Sequence, residues 1–223
     1  MITFNNTFLN GNILQNGLRY DFDGSKKESY PEPKTGLSVF DLSGNAMTTS
    51  LNAAITYNTA NEGVFNFNNG SASFPYTLGN NSIFTIGLWI KFATASNPFK
   101  NIFGVINGPG VAFSTGNGGG GVGTRVHLHF GQVTFSPVSG FHTIVAGNWV
   151  HFTLARKPGL NSFYVNGLLN STGTSNNFAA TNAGVIGPSS LDAQVGKAYI
   201  YTKELSAQDV LFNHNVTKGR FGL

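Results

Sequence analysis

Alternation of apolar and polar residues is the dominant pattern along the chain. It is clearest in two segments, FTIGLWIKF at residues 84–92 and WVHFTLAR at residues 149–156. A period of two places successive side chains on opposite faces of a β-strand, so each segment predicts a strand with one face toward a core. The tryptophans of these segments, Trp89 and Trp149, fall on the face opposite the regular apolar series.

Shorter segments with strand composition follow one another along most of the chain. SFYVNGLLNST contains Asn166-Gly167 between two such runs, a strong signal for a two-residue β-hairpin with both turn residues at positive φ. No helical period separates the runs, so the sequence predicts an all-β fold, a two-sheet antiparallel sandwich or a barrel. The other predicted strands lie at residues 18–22, 53–58, 63–68, 101–106, 111–115, 124–135, 184–187 and 196–201.

One helix is predicted near the end of the chain, in KELSAQDVLFNHNVTKGRF. Ser206 is a favourable N-cap, and Asp209 three residues later can complete a capping box. Leu205, which precedes the cap, can pack on Val210 in the next turn. The helix is therefore predicted to begin at Ala207.

This helix is too short to be stable alone and must pack against the sandwich. Its apolar face is predicted from Val210 and Leu211, and Gly219 is its predicted end. The first 17 residues are rich in Asn and weakly patterned, which predicts either an arm that lies outside the sandwich or on a neighbouring subunit, or a disordered terminus. The predicted organisation is an N-terminal arm or extension at 1–17 and a single domain at 18–223.

Composition narrows the possible functions. The chain has 223 residues, a formal net charge of +4 from 13 basic and 9 acidic residues, and no Cys. Its densest basic clusters are only pairs, Lys26/Lys27 and Arg156/Lys157, so nucleic acid is not a predicted partner. The lack of Cys excludes disulfides and thiolate chemistry. No apolar run approaches the length of a bilayer span and no export signal is visible, so membrane insertion and export are not predicted.

Several segments, taken in order, resemble one family of β-sandwiches. VGKAYIYTKELSAQDVLFNHNVTKGRF resembles the closing strand and capping helix of the concanavalin A-like, laminin G-like jelly rolls, particularly those in structural proteins of tailed bacteriophages. YDFDGSKKESYP and FDLSGN resemble the family's opening segments, and GVFNFNNGSASFPYTL its next strands. FTIGLWIKF resembles its central aromatic strand, and GNWVHFTLARKPGLNSFYVNG its paired strands with the hairpin. The resemblance covers most of residues 18–221, with 97–147 weakly matched.

The resemblance implies a carbohydrate-recognition module or a structural part of a particle. Hydrolases that resemble this fold carry their carboxylates on a mid-chain strand, whereas this sequence has no Asp or Glu from Gly63 to Leu191. Glycosidases generally need two carboxylates that flank the scissile bond. Two acid pairs remain outside that span, Asp21/Asp23 and Asp192/Glu204, but a strand pair that points the same way is more typical of a solvated edge than of a catalytic dyad. The protein is therefore predicted not to be an enzyme.

The resemblance also implies, in some members, a calcium site near the sandwich edge. Calcium takes several oxygen ligands including carboxylates, which are scarce here. Asp41 and Asn45 in DLSGN are weak candidates, but Asp41 is expected to form an Asx turn with the backbone N–H groups that follow it. His127 and His129 share one face of a strand, yet a metal site needs a third ligand and an orienting group. No metal and no other cofactor are predicted.

The candidate ligand-binding face combines aromatic and polar residues. Trp89 and Trp149 can stack on sugar rings, with His127, His129 and Arg125 as polar neighbours. The alternative is that these strand histidines, and the one in WVHFTLAR, are exposed to solvent and bind nothing.

The predicted function is that of a non-enzymatic structural protein on the surface of a bacteriophage virion, as a capsid decoration or a part of the tail or fibre. Charged residues make up only 10% of the chain, so its faces can pack against virion proteins and copies of itself without desolvating many ions. Synthesis in the host cytoplasm is expected. The alternative is a lectin-like module that recognises host-surface glycans.

Overall fold

The computed structural model describes residues 12–76, 83–97, 101–105, 111–116, 123–130, 141–174, 184–187 and 192–223. These residues form strands and one α-helix, α1, at Ala207–Lys218. The strands are β1 Leu18–Asp23, β2 Ser38–Phe40, β3 Thr48–Leu51, β4 Ile55–Asn58, β5 Val64–Asn68, β6 Ala72–Phe74, β7 Phe84–Phe92, β8 Asn101–Val105, β9 Val111–Gly116, β10 Arg125–Phe130, β11 Phe141–Thr143, β12 Trp149–Lys157, β13 Leu160–Val165, β14 Leu168–Gly173, β15 Gly184–Ile186 and β16 Asp192–Tyr201.

The strands form two antiparallel sheets, which confirms the predicted sandwich. The helix-side sheet has the order β14-β13-β12-β7-β16-β5-β4, and β1 pairs with the second half of β16. The opposite sheet has the order β11-β10-β9-β8-β15-β6-β3-β2. Neighbours in space are often distant in sequence, so the central strands β7 and β16 meet only in the folded chain.

The core lies between the two sheets and is rich in phenylalanine. Alternate residues of each strand point into it, as the period of two predicts. In β7 the inward residues are the predicted apolar series from Phe84 to Phe92, all fully or almost fully buried. Phe113 of the opposite sheet meets Phe152 and Phe163 of the helix-side sheet at ring-centroid distances of 5.9 and 6.1 Å. Burial of this apolar surface is the main driving force for closing the sandwich.

The C-terminal helix begins as predicted. The Ser206 side chain accepts a hydrogen bond from the Asp209 backbone N–H, and the Asp209 carboxylate accepts one from the Ser206 backbone N–H. Leu205 and Val210 are both buried in one apolar cluster beneath the helix. The predicted apolar face is only half right, because Leu211 is 38% exposed.

The hairpin turn and the end of the helix were also predicted from the sequence. Asn166 and Gly167 have φ of 50° and 80°, as the predicted hairpin turn between β13 and β14 requires. At the other end of the helix, the chain continues past Gly219 as a single 3₁₀ turn, Gly219–Phe221, and turns away at Gly222, whose φ is 77°. The α-helix itself ends at Lys218 with Gly219 as its C-cap, as the sequence predicted.

The N-terminal residues that the structure describes pack on the helix side of the molecule. Ile13 is buried in the apolar cluster beneath α1, and the Leu14 carbonyl accepts a hydrogen bond of 2.7 Å from the Tyr201 hydroxyl. Residues 1–11 of the predicted arm lie outside the described residues, so the division at residue 17 stays a prediction. Within the described part of the chain, no helix combines the length and apolarity needed to cross a bilayer.

Candidate functional site

The outer face of the helix-side sheet is divided into a covered part and an open part. Cross-strand pairing places Trp89 beside His151 on one side and Lys197 on the other. This line of residues is covered by α1 and the C-terminal tail, residues 219–223. Two residues further along β7, Lys91 lies in a parallel line of side chains that the helix does not cover. The helix thus determines which outward residues are available to a ligand.

Trp89 lies in the covered part and is fully buried. Its indole stacks on the rings of His151, His214 and Phe221 at centroid distances of 4.7, 5.3 and 4.3 Å. Its Nε1–H donates a 2.9 Å hydrogen bond to the Thr217 hydroxyl of α1. The predicted position of Trp89 on an exposed sugar-binding face is therefore wrong, because the residue points outward from the sheet but is buried under the helix that it anchors.

The histidine of WVHFTLAR is also buried, contrary to both alternatives considered from the sequence. His151 is 0% exposed, and its Nε2 lies 2.8 Å from the Tyr199 hydroxyl. Burial, with the nearby His214 and Lys197, holds the pKa of His151 well below its ordinary value. Burial, with Lys218, lowers the pKa of His214 to about 4. Both rings are therefore neutral packing elements at neutral pH.

Asp21 and Asp23 form a buried ionic cluster, not the solvated edge that was predicted. The Lys197 ammonium donates to Asp21 at 2.5 Å and to Asp23 at 3.0 Å, and Arg220 donates to Asp23 at 2.6 Å. Burial disfavours the ionised form of Asp23, but Lys197 and Arg220 outweigh it and hold its pKa below the ordinary range. The two carboxylates are thus matched by two cations.

Arg220 and Asn61 fasten the C-terminal tail to the sandwich. The Arg220 guanidinium donates to the carbonyls of Asn61, Gly63 and Gly196 as well as to Asp23. Asn61 returns a 2.9 Å hydrogen bond from its amide to the Arg220 carbonyl. The tail is therefore hydrogen-bonded to the sandwich through both the backbone carbonyl and the side chain of Arg220.

This clamp also orients Trp149. The Asn61 side-chain oxygen accepts a 3.1 Å hydrogen bond from the Trp149 Nε1–H, and the Phe221 ring lies 4.6 Å from the Trp149 ring. Trp149 is 8% exposed, so its indole has a fixed position with only an edge at the surface. Trp149 is the predicted tryptophan that borders the open part of the face.

The open part of the face carries a line of polar side chains, here called the cross-strand row. It consists of Thr56, Asn66, Gln194, Lys91 and Trp149, which pair with one another across five adjacent strands. The Gln194 amide donates to Asn66 at 2.8 Å, and the Asn66 amide donates to Thr56 at 3.2 Å. The Lys91 ammonium lies over the Trp149 ring, 5.4 Å from its centroid. Hydrogen bonding fixes the directions of the amide groups.

A cleft of about 280 Å³, here called the amide cleft, lies along this row. Gln194 Oε1 is buried and has no hydrogen-bond partner among the described residues, so an acceptor is left for a ligand or water at this point. The cleft is lined by Asn66, Asn68, Lys91, Phe92, Ala93, Gly147, Asp192, Ala193 and Gln194.

A second cleft, of about 420 Å³, lies on the Trp149 side and is here called the tryptophan cleft. The C-terminal tail and the segment around β11 form its walls. It is lined by Phe92, His142, Ile144, Val145, Gly147, Asn148, Trp149, Val150, Asn166, Phe221, Gly222 and Leu223.

The other predicted binding residues lie on the opposite sheet. Arg125 in β10 is exposed, and its guanidinium lies 3.7 Å from the Phe141 ring centroid. His127 and His129 are also in β10, but their side chains lie outside what the structure describes. The structure therefore does not bring Arg125 into the cross-strand row with Trp149.

Asp41 and Asn45, the weak metal candidates, form hydrogen bonds within a turn and to the neighbouring strand β1. Asp41 accepts hydrogen bonds from the backbone N–H of Ser43 at 2.9 Å and from the Ser43 hydroxyl at 2.6 Å, which is the Asx turn preferred in the sequence analysis. Asn45 contacts Arg19 and the Leu18 and Arg19 carbonyls. Across the described ranges, no three His, Asp or Glu side chains are grouped so as to hold a metal ion.

Three residues of the cross-strand row, Asn66, Lys91 and Gln194, were not among the binding residues predicted from the sequence. Each is the polar residue between two core residues of its strand, which is the only sequence signal it carries. Every strand of the sandwich has such residues, so the signal does not separate a site from an ordinary solvated face.

The fold and the partly open sheet face define a lectin-like β-sandwich. The chain belongs to the concanavalin A-like lectin/glucanases superfamily, because the model of that family matches residues 66–211, well over half of the chain. A comparison with curated proteins gives no match.

Solved structures share the fold at low sequence identity. Domain 4 of AbnA, a GH43 extracellular arabinanase from Geobacillus stearothermophilus in complex with arabinotriose, has a TM-score of 0.69 and 17% identity over 88% of this chain and 98% of that domain. Botulinum neurotoxin type C, whose entry into cells depends on two ganglioside molecules, has a TM-score of 0.71 and 15% identity. The binding domain of botulinum neurotoxin DC in complex with SialylT has a TM-score of 0.72 and 16% identity. Each toxin match covers 91% of this chain but only 52% of the toxin chain.

Proposed function

We propose that the protein is a non-catalytic carbohydrate-binding module that holds its ligand in the amide cleft. The observation that carries the proposal is the cross-strand row, in which hydrogen-bonded amides, an ammonium and an indole edge lie side by side on an open sheet face. Ligand sites typically combine a few fixed polar groups with apolar groups, and here the exposed Ala93 supplies an apolar group.

The chemistry of these groups suits sugar hydroxyls. A hydroxyl both donates and accepts, and the cleft offers amide N–H groups and the Lys91 ammonium as donors, and the free Gln194 Oε1 as an acceptor. The amides are already oriented by their contacts with each other, so little side-chain entropy is lost when a ligand binds.

The relatives support a carbohydrate ligand. An arabinanase domain with this fold holds arabinotriose, and neurotoxin domains with this fold are described with gangliosides or SialylT. Their low identity to this chain relates the folds alone, so the placement of the ligand rests on the cross-strand row.

The carboxylates favour binding over hydrolysis. Asp192 is the carboxylate that lines the amide cleft, and the described carboxylates Asp21 and Asp23 are consumed by buried ion pairs. Hydrolysis of a glycosidic bond generally needs a second carboxylate across the bond. No release of reducing sugar is therefore expected from any polysaccharide the protein binds.

The proposal is tested by substitution of Gln194. Gln194→Leu keeps the side-chain volume but removes the amide, so it should weaken binding to a glycan-array hit about tenfold, the effect of about one lost hydrogen bond. Gln208→Leu, the same change on the exposed surface of α1, should leave affinity unchanged. Isothermal titration calorimetry measures both. Equal affinities for the two variants, or no glycan bound by the wild-type protein, would refute the proposal.

A role on a bacteriophage virion is our second proposal, as a capsid decoration or a tail or fibre component bound to virion proteins or to copies of itself. The observation that favours it is the exposure of four large apolar side chains, Leu168 and Leu169 of the edge strand β14 and Leu211 and Phe212 of α1, each between 36% and 66% exposed. Exposed apolar side chains of this size are available for contact with another protein. Mass spectrometry of purified virions tests it, and absence of the protein from the particles would count against it.

A further inference from the structure

The two clefts adjoin. Phe92 and Gly147 line both of them, so they meet at the start of β12, where Gly147 precedes Asn148 and Trp149. The Lys91 ammonium, in the amide cleft, lies over the ring of Trp149, which borders the tryptophan cleft. A ligand longer than the amide cleft therefore has an adjoining cleft of about 420 Å³ to enter.

We propose that the two clefts form one continuous track for a linear, uncharged oligosaccharide several residues long. This inference rests on the proposed carbohydrate-binding function and extends it to the length and charge of the ligand. One part of the chain lies against Gln194 and Lys91, and the next part passes Gly147 and lies against the edge of Trp149 and the apolar residues Val145 and Phe221.

The residues that line the track favour an extended, chain-like ligand. Polar groups from several elements occur along both clefts, from Asn66 and Gln194 at one end to Asn148 and Asn166 at the other. Apolar walls alternate with them, and Val145 is 56% exposed. A single sugar contacts only part of this surface, whereas a chain uses it along its length.

The charges of the track favour an uncharged ligand. Among the described lining residues, the ammonium of Lys91 is balanced by the carboxylate of Asp192 in the same cleft. His142 in the tryptophan cleft is partly buried, and this desolvation lowers its pKa, so it is neutral at pH 7. No net positive charge attracts an acidic sugar such as sialic acid.

Gly147 allows a direct test of continuity. Its φ is 78°, and a β-carbon built on it has no described atom within 4 Å other than its chain neighbours. Asn tolerates this backbone conformation better than most residues, so Gly147→Asn places a side chain at the junction of the clefts. Gly159, at the other end of β12, has the same φ of 78° and the same free space, which makes Gly159→Asn a matched control.

The experiment measures affinity against chain length. Arabino-, xylo- and gluco-oligosaccharides of one to six residues, and sialyllactose, are titrated into the wild-type protein and both variants by calorimetry. We expect wild-type affinity to rise about tenfold or more with length in the preferred series, because each added contact contributes binding energy. Gly147→Asn should remove most of that gain, so that its affinity no longer rises with chain length. Gly159→Asn should behave as wild type.

Several results would overturn the inference while leaving the proposed function intact. These are affinity that does not change with length, equal length dependence in the two variants, or preference for sialyllactose. Failure of the wild-type protein to bind any of the probes would overturn both.

A second measurement covers the case in which Gly147→Asn does not fold. In the wild-type protein, amide chemical shifts of Gln194 and His142 should both move with the longest bound oligosaccharide, and Gln194 alone with the shortest. Movement of Gln194 alone with the longest ligand contradicts a continuous track.

Discussion

At the scale of single residues, Arg220 connects several segments of the chain near the candidate site. It joins Asp23 to the carbonyls of Asn61, Gly63 and Gly196, and it lies next to Phe221, which packs on Trp149. A buried ion pair is expensive to form, but removal of one partner leaves the other as an unpaired buried charge. Arg220 therefore matters to stability mainly through the groups it leaves behind.

Arg220→Met should lower the free energy of unfolding by about 3 kcal/mol, since the guanidinium is lost while Asp23 remains buried. Urea denaturation followed by tryptophan fluorescence measures the change. Lys157→Met is the control, because the Lys157–Glu204 pair is solvent-exposed and should cost less than about 1 kcal/mol. Equal losses from the two substitutions would show that the buried cluster has no special role.

At the scale of elements, α1 buries one part of the outer face of the helix-side sheet and leaves the cross-strand row open. The helix covers Trp89 and His151 with His214 and Thr217, and it continues into the tail that carries Arg220 and Phe221. The covered face contains two histidines whose pKa values lie below the ordinary value of about 6.5. Docking of the helix is therefore linked to pH.

The direction of this linkage follows from the proton balance. Below about pH 6.5 the unfolded chain binds protons at His151 and His214, whereas the folded protein does not until the pH approaches the depressed pKa values, about 4 for His214. Stability should thus be full above pH 6.5 and fall as the pH is lowered toward 4. Each such histidine contributes about 1.4 kcal/mol per pH unit at most.

His214→Gln should reduce that slope, because it removes one of the two groups that titrate differently in the folded and unfolded states. Unfolding free energies from urea titrations at pH 7.5, 6, 5 and 4.5 measure it. A slope equal to that of the wild-type protein over this range would contradict the assignment. At pH 7.5 and above, both proteins should show little pH dependence from these residues.

At the scale of the whole molecule, the helix-side sheet lies between two packing partners, the opposite sheet and α1. Its inner face packs on the opposite sheet through the phenylalanine-rich core, and its outer face packs on α1 through a separate apolar cluster and the Trp89 stack. Strands β7 and β16, at the centre of this sheet, pair with each other and contribute residues to both faces. Loss of the packing against the opposite sheet, or of the packing against α1, therefore destabilises the same two strands.

The sandwich and the docked helix should consequently unfold in one transition. Far-UV circular dichroism reports the sheets, and near-UV dichroism reports the asymmetric packing of Trp89 and Trp149. Their urea midpoints should coincide, as in a two-state protein. An earlier loss of the near-UV signal would indicate that the helix undocks from a sandwich that remains folded.

Local features were predictable from sequence because their causes are local. The capping box is formed by Ser206 and Asp209, which are three residues apart, and the hairpin turn by the adjacent residues Asn166 and Gly167. Strand β7 is recognised from the alternation of apolar and polar residues alone. Strands β2 and β11 are three residues long, too short to show a period, and periodicity did not predict them.

The candidate site was predicted only in part because its residues meet through tertiary structure. Trp149 was identified, whereas Asn66 and Gln194, 128 positions apart, become neighbours only through the register of β5 and β16. Trp89 was placed on the surface because its side of the strand is outward. Its burial depends on Thr217, also 128 positions away.

The sequence alone therefore determined most of the strands, the hairpin turn, the capped helix and the class of fold, since each follows from residue spacing and side-chain type. The tertiary structure decided which outward residues are covered and which form the cross-strand row. It also decided that Asp21 and Asp23 are buried beside Lys197 and Arg220. The physical reason is that strand register and helix docking bring together residues from opposite ends of the chain, and no local pattern encodes those distances.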